Sequence, residues 1–167
     1  MRRPRLAPRG RIRASEERSV PFVPRQCGHA PGLKGELGEV AFMHKAVSLG
    51  FALALPYGHI HRYDFIVESG TKLWRVQVKT TTVKARGMYN VTICRHANRE
   101  RRAYTESEID FVAVYIVPED TWYILPVREV VGHMCLRFRP KGYARGDPYA
   151  HYREAWHLLR EPDGLIF

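Results

Sequence analysis

The chain has 167 residues, 45% hydrophobic and 26% charged, with 27 Lys and Arg against 17 Asp and Glu for a formal net charge of +10. That length suits one domain with a real core and excludes two of ordinary size, and the composition excludes a fibrous or wholly disordered chain. The basic excess favours a polyanion, nucleic acid above all; no apolar run has membrane-spanning length, and no basic amphipathic helix of the membrane-lying kind is present, so no membrane partner is expected.

Cys27, Cys94 and Cys135 are odd in number and widely spaced, which rules out a disulfide framework and a four-cysteine zinc site. They fit a reducing compartment. The charged start Met1-Arg2-Arg3-Pro4-Arg5 is followed by no apolar stretch of signal-peptide length, so a cytoplasmic protein is expected.

Residues 1–31 carry Pro4, Pro8, Pro21, Pro24 and Pro31 among many arginines, without apolar periodicity, and read as a flexible basic arm ahead of a domain over 32–167. Over 35–49, Leu37, Val40, Ala41, Met43, Ala46 and Val47 recur at helical spacing, and Gly50 suits the left-handed residue that ends a helix. Residues 51–55 and 63–68 follow as strands, stopped by Pro56-Tyr57-Gly58 and Ser69-Gly70. Residues 73–82 alternate: Trp74, Val76, Val78 and Thr80 point to a core, while Leu73, Arg75, Gln77 and Lys79 point the other way. Further strands are expected at 89–94, 111–117 and 122–125, and a closing helix with aromatic anchors at 149–159.

Phosphodiester hydrolysis uses a divalent cation to polarise the phosphate and activate a water; Mg2+ takes one or two carboxylates, and a cation beside them stabilises the developing charge. Asp64 sits on one short strand, and Gln77 and Lys79 share a face of the next, so antiparallel pairing would bring the three together. Gly35-Glu36-Leu37-Gly38-Glu39 opening a helix, then Pro56, Tyr63-Asp64 and Gln77-Val78-Lys79-Thr80, resemble in order and spacing the PD-(D/E)XK nuclease superfamily. Within it the chain looks most like the group I intron-associated homing endonucleases, which carry Gln in the second motif; Ile109-Asp110-Phe111 and Trp122-Tyr123-Ile124-Leu125-Pro126 are similar to that subgroup too. The resemblance covers about residues 32–130.

This likeness implies an α/β, restriction-endonuclease-like core, a central mixed β-sheet flanked by helices. It implies Asp64 as the main metal-binding carboxylate, Gln77 as a ligand through its amide oxygen, Lys79 as the water-positioning or charge-stabilising cation, and Glu39 as the helical second carboxylate. Glu36, three residues away, competes for that last role, since spacing alone does not decide. Tyr63 stands where the motif's proline would be, and neutral Gln77 removes one negative charge, so weaker metal binding is expected.

The expected function is a Mg2+-dependent DNA endonuclease, with Mn2+ as a substitute. Its alternatives are a non-catalytic DNA-binding module, a Holliday-junction-type resolvase and, with the least support, an RNA-binding protein. Arg75, Lys84, Arg86, Arg95, Arg99, Arg101 and Arg102 are the expected phosphate contacts, with Tyr104 placed to stack on a base. Double-strand cleavage with one site per chain implies a homodimer or homotetramer. His44, His59 and His61 lack the further ligands of a zinc site, and Gly32, Gly35 and Gly38 read as a flexible helix entry.

Overall fold

The computed structural model describes residues 31–58, 60–97, 100–142 and 146–161; the arm, apart from Pro31, lies outside them. The helix α1 (Pro31–Ser48) starts four residues before the expected position, with Pro31 at its first turn, where a missing N–H costs nothing. Gly50, at φ 86°, turns the chain after the last carbonyls of α1 are capped by Leu49 and Gly50 N–H groups.

The apolar residues that mark α1 do not all face the core. Gly38, Phe42 and Ala46 are buried, whereas Leu37, Val40 and Val47 are exposed. The helix turns this way because Phe42 has the largest apolar contact to make: its ring stacks on Phe65 at 5.1 Å and meets Trp122 edge-on at 5.8 Å.

The strands in chain order are β1 (Ala52–Ala54), β2 (Phe65–Ser69), β3 (Lys72–Thr81), β4 (Lys84–Ala85), β5 (Met88–Thr92), β6 (Arg95–Ala97), β7 (Glu100–Arg102), β8 (Phe111–Ile116), β9 (Thr121–Pro126) and β10 (Cys135–Phe138). The main sheet runs β1-β2-β3-β8-β9 and is mixed, antiparallel except where β3 pairs β8 in parallel. A parallel pair needs a long crossover, and here it contains the β4-β5 and β6-β7 hairpins. β8 is an interior strand, covered on both faces, and its sequence FVAVYI is accordingly apolar throughout.

One face of the main sheet packs Val76, Val78, Ala113 and Ile124 against α1 and the C-terminal Trp156 and Leu159. The other face packs Val112, Val114, Tyr123 and Leu125 against Tyr89, Val91, Leu136 and Phe138 of a small sheet ordered β10-β5-β4. The second flank of the main sheet is thus largely β-structure. The helix expected at 149–159 is instead two short 3-10 turns, Ala150–Tyr152 and Trp156–Leu159. Between them Glu154, at φ 50°, exchanges bonds with the edge of β9: its N–H donates to Trp122 O (2.9 Å) and its carboxylate accepts the Trp122 N–H (2.8 Å). Satisfying that edge backbone outweighs a continuous helix. No helix among the described residues is long and apolar enough to cross a membrane.

Candidate active site

β2 is shorter than β3: their register starts at Phe65 opposite Val76, leaving the later residues of β3 without a neighbour on that side. Asp64, just before β2, fills the first gap. Its N–H donates to Val76 O (2.9 Å), and its Oδ2 accepts the Val78 N–H (2.8 Å) and the Gln77 side-chain amide (2.5 Å). The same Gln77 nitrogen reaches Val78 O at 3.2 Å, and Gln77 is only 8% exposed. Two strands away in sequence order, β5 packs beside the open stretch of β3, and α1 approaches it from the other side.

Between these elements lies a cleft of about 400 Å³, lined by Asp64, Gln77 and Lys79 from the main sheet, Glu39 and Lys34 from α1, and Asn90 from β5. Glu36 is exposed and does not line it. Lys79 Nζ lies 5.5 Å from the centre of the Tyr104 ring, which attracts a cation to its face. Tyr104 is 2% exposed, so it supports Lys79 and is closed to a base, contrary to the stacking role expected from sequence. Gly38, also misread as part of a flexible entry, is a packing position: a Cβ there would stand 1.8 Å from Thr80 Oγ1. Its absence lets α1 lie close on β3, one residue from Glu39.

Burial raises the Asp64 pKa above the usual 3.8, against the opposing pull of the Val78 N–H, Lys79 and Gln77. Burial likewise raises Glu39 above 4.5, helped by the charges of Asp64 and Glu36 and opposed by Lys79. Lys34 is lowered by burial. Two half-buried carboxylates that repel one another and the Val78 carbonyl are oxygen donors of the kind a hard divalent cation takes, while the Gln77 amide presents its nitrogen to them. Among the described residues no three His, Cys, Asp or Glu side chains converge, and His59 lies outside those residues.

The expected phosphate contacts divide. The Arg75 guanidinium is committed internally: Nε and Nη2 bind Asp110 at 3.0 and 2.8 Å, Nη2 also meets Glu106 O at 3.0 Å, and Nη1 binds Ser107 O. That is a structural clamp on the 106–110 loop, and it leaves the guanidinium few donors for a phosphate. Arg95 pairs with Glu108 at 2.6 Å, and Lys84 with Glu119 at 3.4 Å. Arg86, in a left-handed turn at φ 49°, and Arg101 and Arg102 on β7 are exposed, Arg102 pairing with Glu100 at 3.0 Å. Arg99 lies outside the described residues. Lys34 and Asn90 were missed from sequence because nothing local marks them; they reach the cleft only through the packing of α1 and β5 on β3.

The profile of the PD-(D/E)XK endonuclease family matches residues 29–159. A search of curated proteins finds no match. Among solved structures, that of the bacterial homing endonuclease I-Ssp6803I is similar with a TM-score of 0.70 and 27% identity over 78% of this chain and 93% of that one. The mixed sheet with its packed helix is the restriction-endonuclease-like α/β fold, and the chain belongs to the PD-(D/E)XK endonuclease family of nucleases.

Proposed function

We propose that the chain is a divalent-metal-dependent endonuclease that hydrolyses phosphodiester bonds in DNA, working in the cytoplasm. The observation that carries this reading is the convergence of Asp64, Glu39, Gln77 and Lys79 on one cleft, with both carboxylates held above their ordinary pKa. Asp64, Glu39 and the Gln77 amide oxygen would hold Mg2+, or Mn2+ in its place. When bound, such an ion polarises the scissile phosphate and lowers the pKa of an attacking water.

Gln77 now turns its amide nitrogen toward Asp64. Ligation through the oxygen requires the amide to turn over, which replaces a hydrogen bond to the carboxylate with a second oxygen donor. Lys79, braced by the Tyr104 ring, supplies positive charge to the phosphate as negative charge grows on it. Neutral Gln77 leaves the site one charge short of a three-carboxylate set, so the expected metal affinity is modest. The exposed Arg86, Arg101 and Arg102 suit phosphate contacts outside the cleft. The likeness to I-Ssp6803I favours homing-type cleavage over junction resolution. A double-strand cut by one site per chain takes two or more copies.

The test incubates the protein with supercoiled, linear and four-way-junction DNA in Mg2+ or Mn2+, with EDTA controls and the Asp64→Ala and Lys79→Ala variants. Cleavage that needs metal and falls by about 100-fold or more in each variant is expected. Salt-sensitive binding with no cleavage of any substrate, including random-sequence DNA, would sink the enzyme reading and leave the binding module, which the neutral Gln77 favours.

A further inference from the structure

α1 is apolar on two opposite sides. Gly38, Phe42 and Ala46 enter the core. On the far side Leu33 is 52% exposed, Leu37 38%, Val40 59% and Val47 61%, with His44 exposed among them. The positions 33, 37, 40, 44 and 47 alternate steps of four and three, the spacing of a seam between two packed helices. A helix apolar on both sides is covered on both sides; among the described residues only one of them is.

We propose that this second face is where another copy of the same chain docks, α1 against α1, antiparallel about a twofold axis at Val40. Reflection through position 40 sets Val40 opposite itself, Leu33 opposite Val47 and Leu37 opposite the half-buried Met43, and brings the exposed carboxylate of Glu36 opposite the His44 imidazole. A shallow hollow bordered by Met43, His44, Val47 and Ser48 lies where Leu33 of the second copy falls in that register. Antiparallel pairing also sets each positive helix N-terminus beside a negative C-terminus. An isologous contact of this kind closes on itself and yields a dimer, not a fibre. Because one helix seam is smaller than a standard interface, a micromolar dimer is expected.

The surface and the cleft lie on different sides of α1, so the inference does not depend on what the cleft does. The test uses the full chain without DNA. Sedimentation velocity from about 1 to about 100 µM, in salt high enough to screen the +10 charge, is expected to show a concentration-dependent dimer. Val40→Glu should raise the dissociation constant by about 100-fold or more, two carboxylates being forced together at the axis, with circular dichroism unchanged. Under mild oxidation Val40→Cys should crosslink to itself well above the wild-type background from the exposed Cys135, whereas Val47→Cys, off the axis, should not. A wild-type chain that stays monomeric across this range overturns the proposal, leaving residues 1–30 or another protein as the cover. So does a dimer that Val40→Glu leaves intact, since the copies would then meet elsewhere.

Discussion

Asp64 and Glu39 act against stability in the metal-free protein. For both, the folded pKa lies above the unfolded value. The native state therefore binds more protons than the unfolded chain between the two pKa values, and stability falls as pH rises through that window, starting near 3.8 for Asp64 and 4.5 for Glu39. Above the folded pKa values the penalty is complete. In EDTA at neutral pH, Asp64→Asn and Glu39→Gln are each expected to raise the melting temperature by a few degrees while removing a ligand of the proposed metal site. Added Mg2+ should reverse the ranking: at about ten times its dissociation constant it contributes about 1.4 kcal/mol to the wild type and nothing to Asp64→Asn. Thermal melts across pH, with and without Mg2+, check both parts without any nuclease assay. At the same scale Arg75→Ala is expected to cost about 2 kcal/mol of folding stability, the worth of charged hydrogen bonds lost to Asp110; a denaturant titration reads it. The period-two pattern of β3 was enough to group Gln77 with Lys79 and to point at Asp64. It was blind to Asp110, the acceptor that occupies Arg75, because that partner arrives from the loop before β8, 35 residues on.

The elements were legible where local pattern and tertiary demand agree. β3 and β8 appear within a residue of expectation because their runs of strand formers sit in the interior of the sheet. α1 was legible as a helix but not in its orientation, since both of its faces are apolar and the pattern alone cannot choose between them. β10 passed unnoticed: only four residues long, with Leu136 and Phe138 inward, it becomes a strand through pairing with β5. The C-terminal turns look helical by composition and are broken by the needs of β9. Gly38 joins element to site. Gly38→Ala places a methyl group where Thr80 Oγ1 now stands, pushes α1 off β3 and carries Glu39 with it. Catalytic turnover is expected to fall about 100-fold, since a displacement of about 1 Å suffices for that, with a smaller effect on the midpoint of unfolding. Adding Thr80→Ala removes the 1.8 Å clash, leaves a contact of 3.1 Å to Cβ, and should restore part of the turnover; failure to restore any would mean that Gly38 acts through something other than this approach.

At the scale of the whole molecule the +10 charge bears on how the chain would meet the proposed DNA substrate, and the proposed α1 seam on how many sites would arrive together. Net charge was plain from composition; which cations are available was not, because pairing with Asp110, Glu108 and Glu119 depends on the folded chain. Arg101→Ala should weaken DNA binding at every sequence and flatten the plot of log affinity against log salt by about one unit, whereas Arg75→Ala should leave that slope nearly unchanged. The seam has its own reading on plasmid DNA. If the proposed dimer cuts both strands in one encounter, it should convert supercoiled plasmid to linear form with little nicked circle on the way. Val40→Glu keeps the cleft intact but, at concentrations where the wild type is paired, delivers one cleft at a time, so nicked circle should accumulate first and linear DNA should follow slowly. Raising the variant's concentration should shorten that delay, because pairing is weakened and not abolished. If Val40→Glu linearises plasmid as directly as the wild type while sedimenting as a monomer, the two strands are being cut by successive visits of single chains, and the seam has no part in the double-strand break.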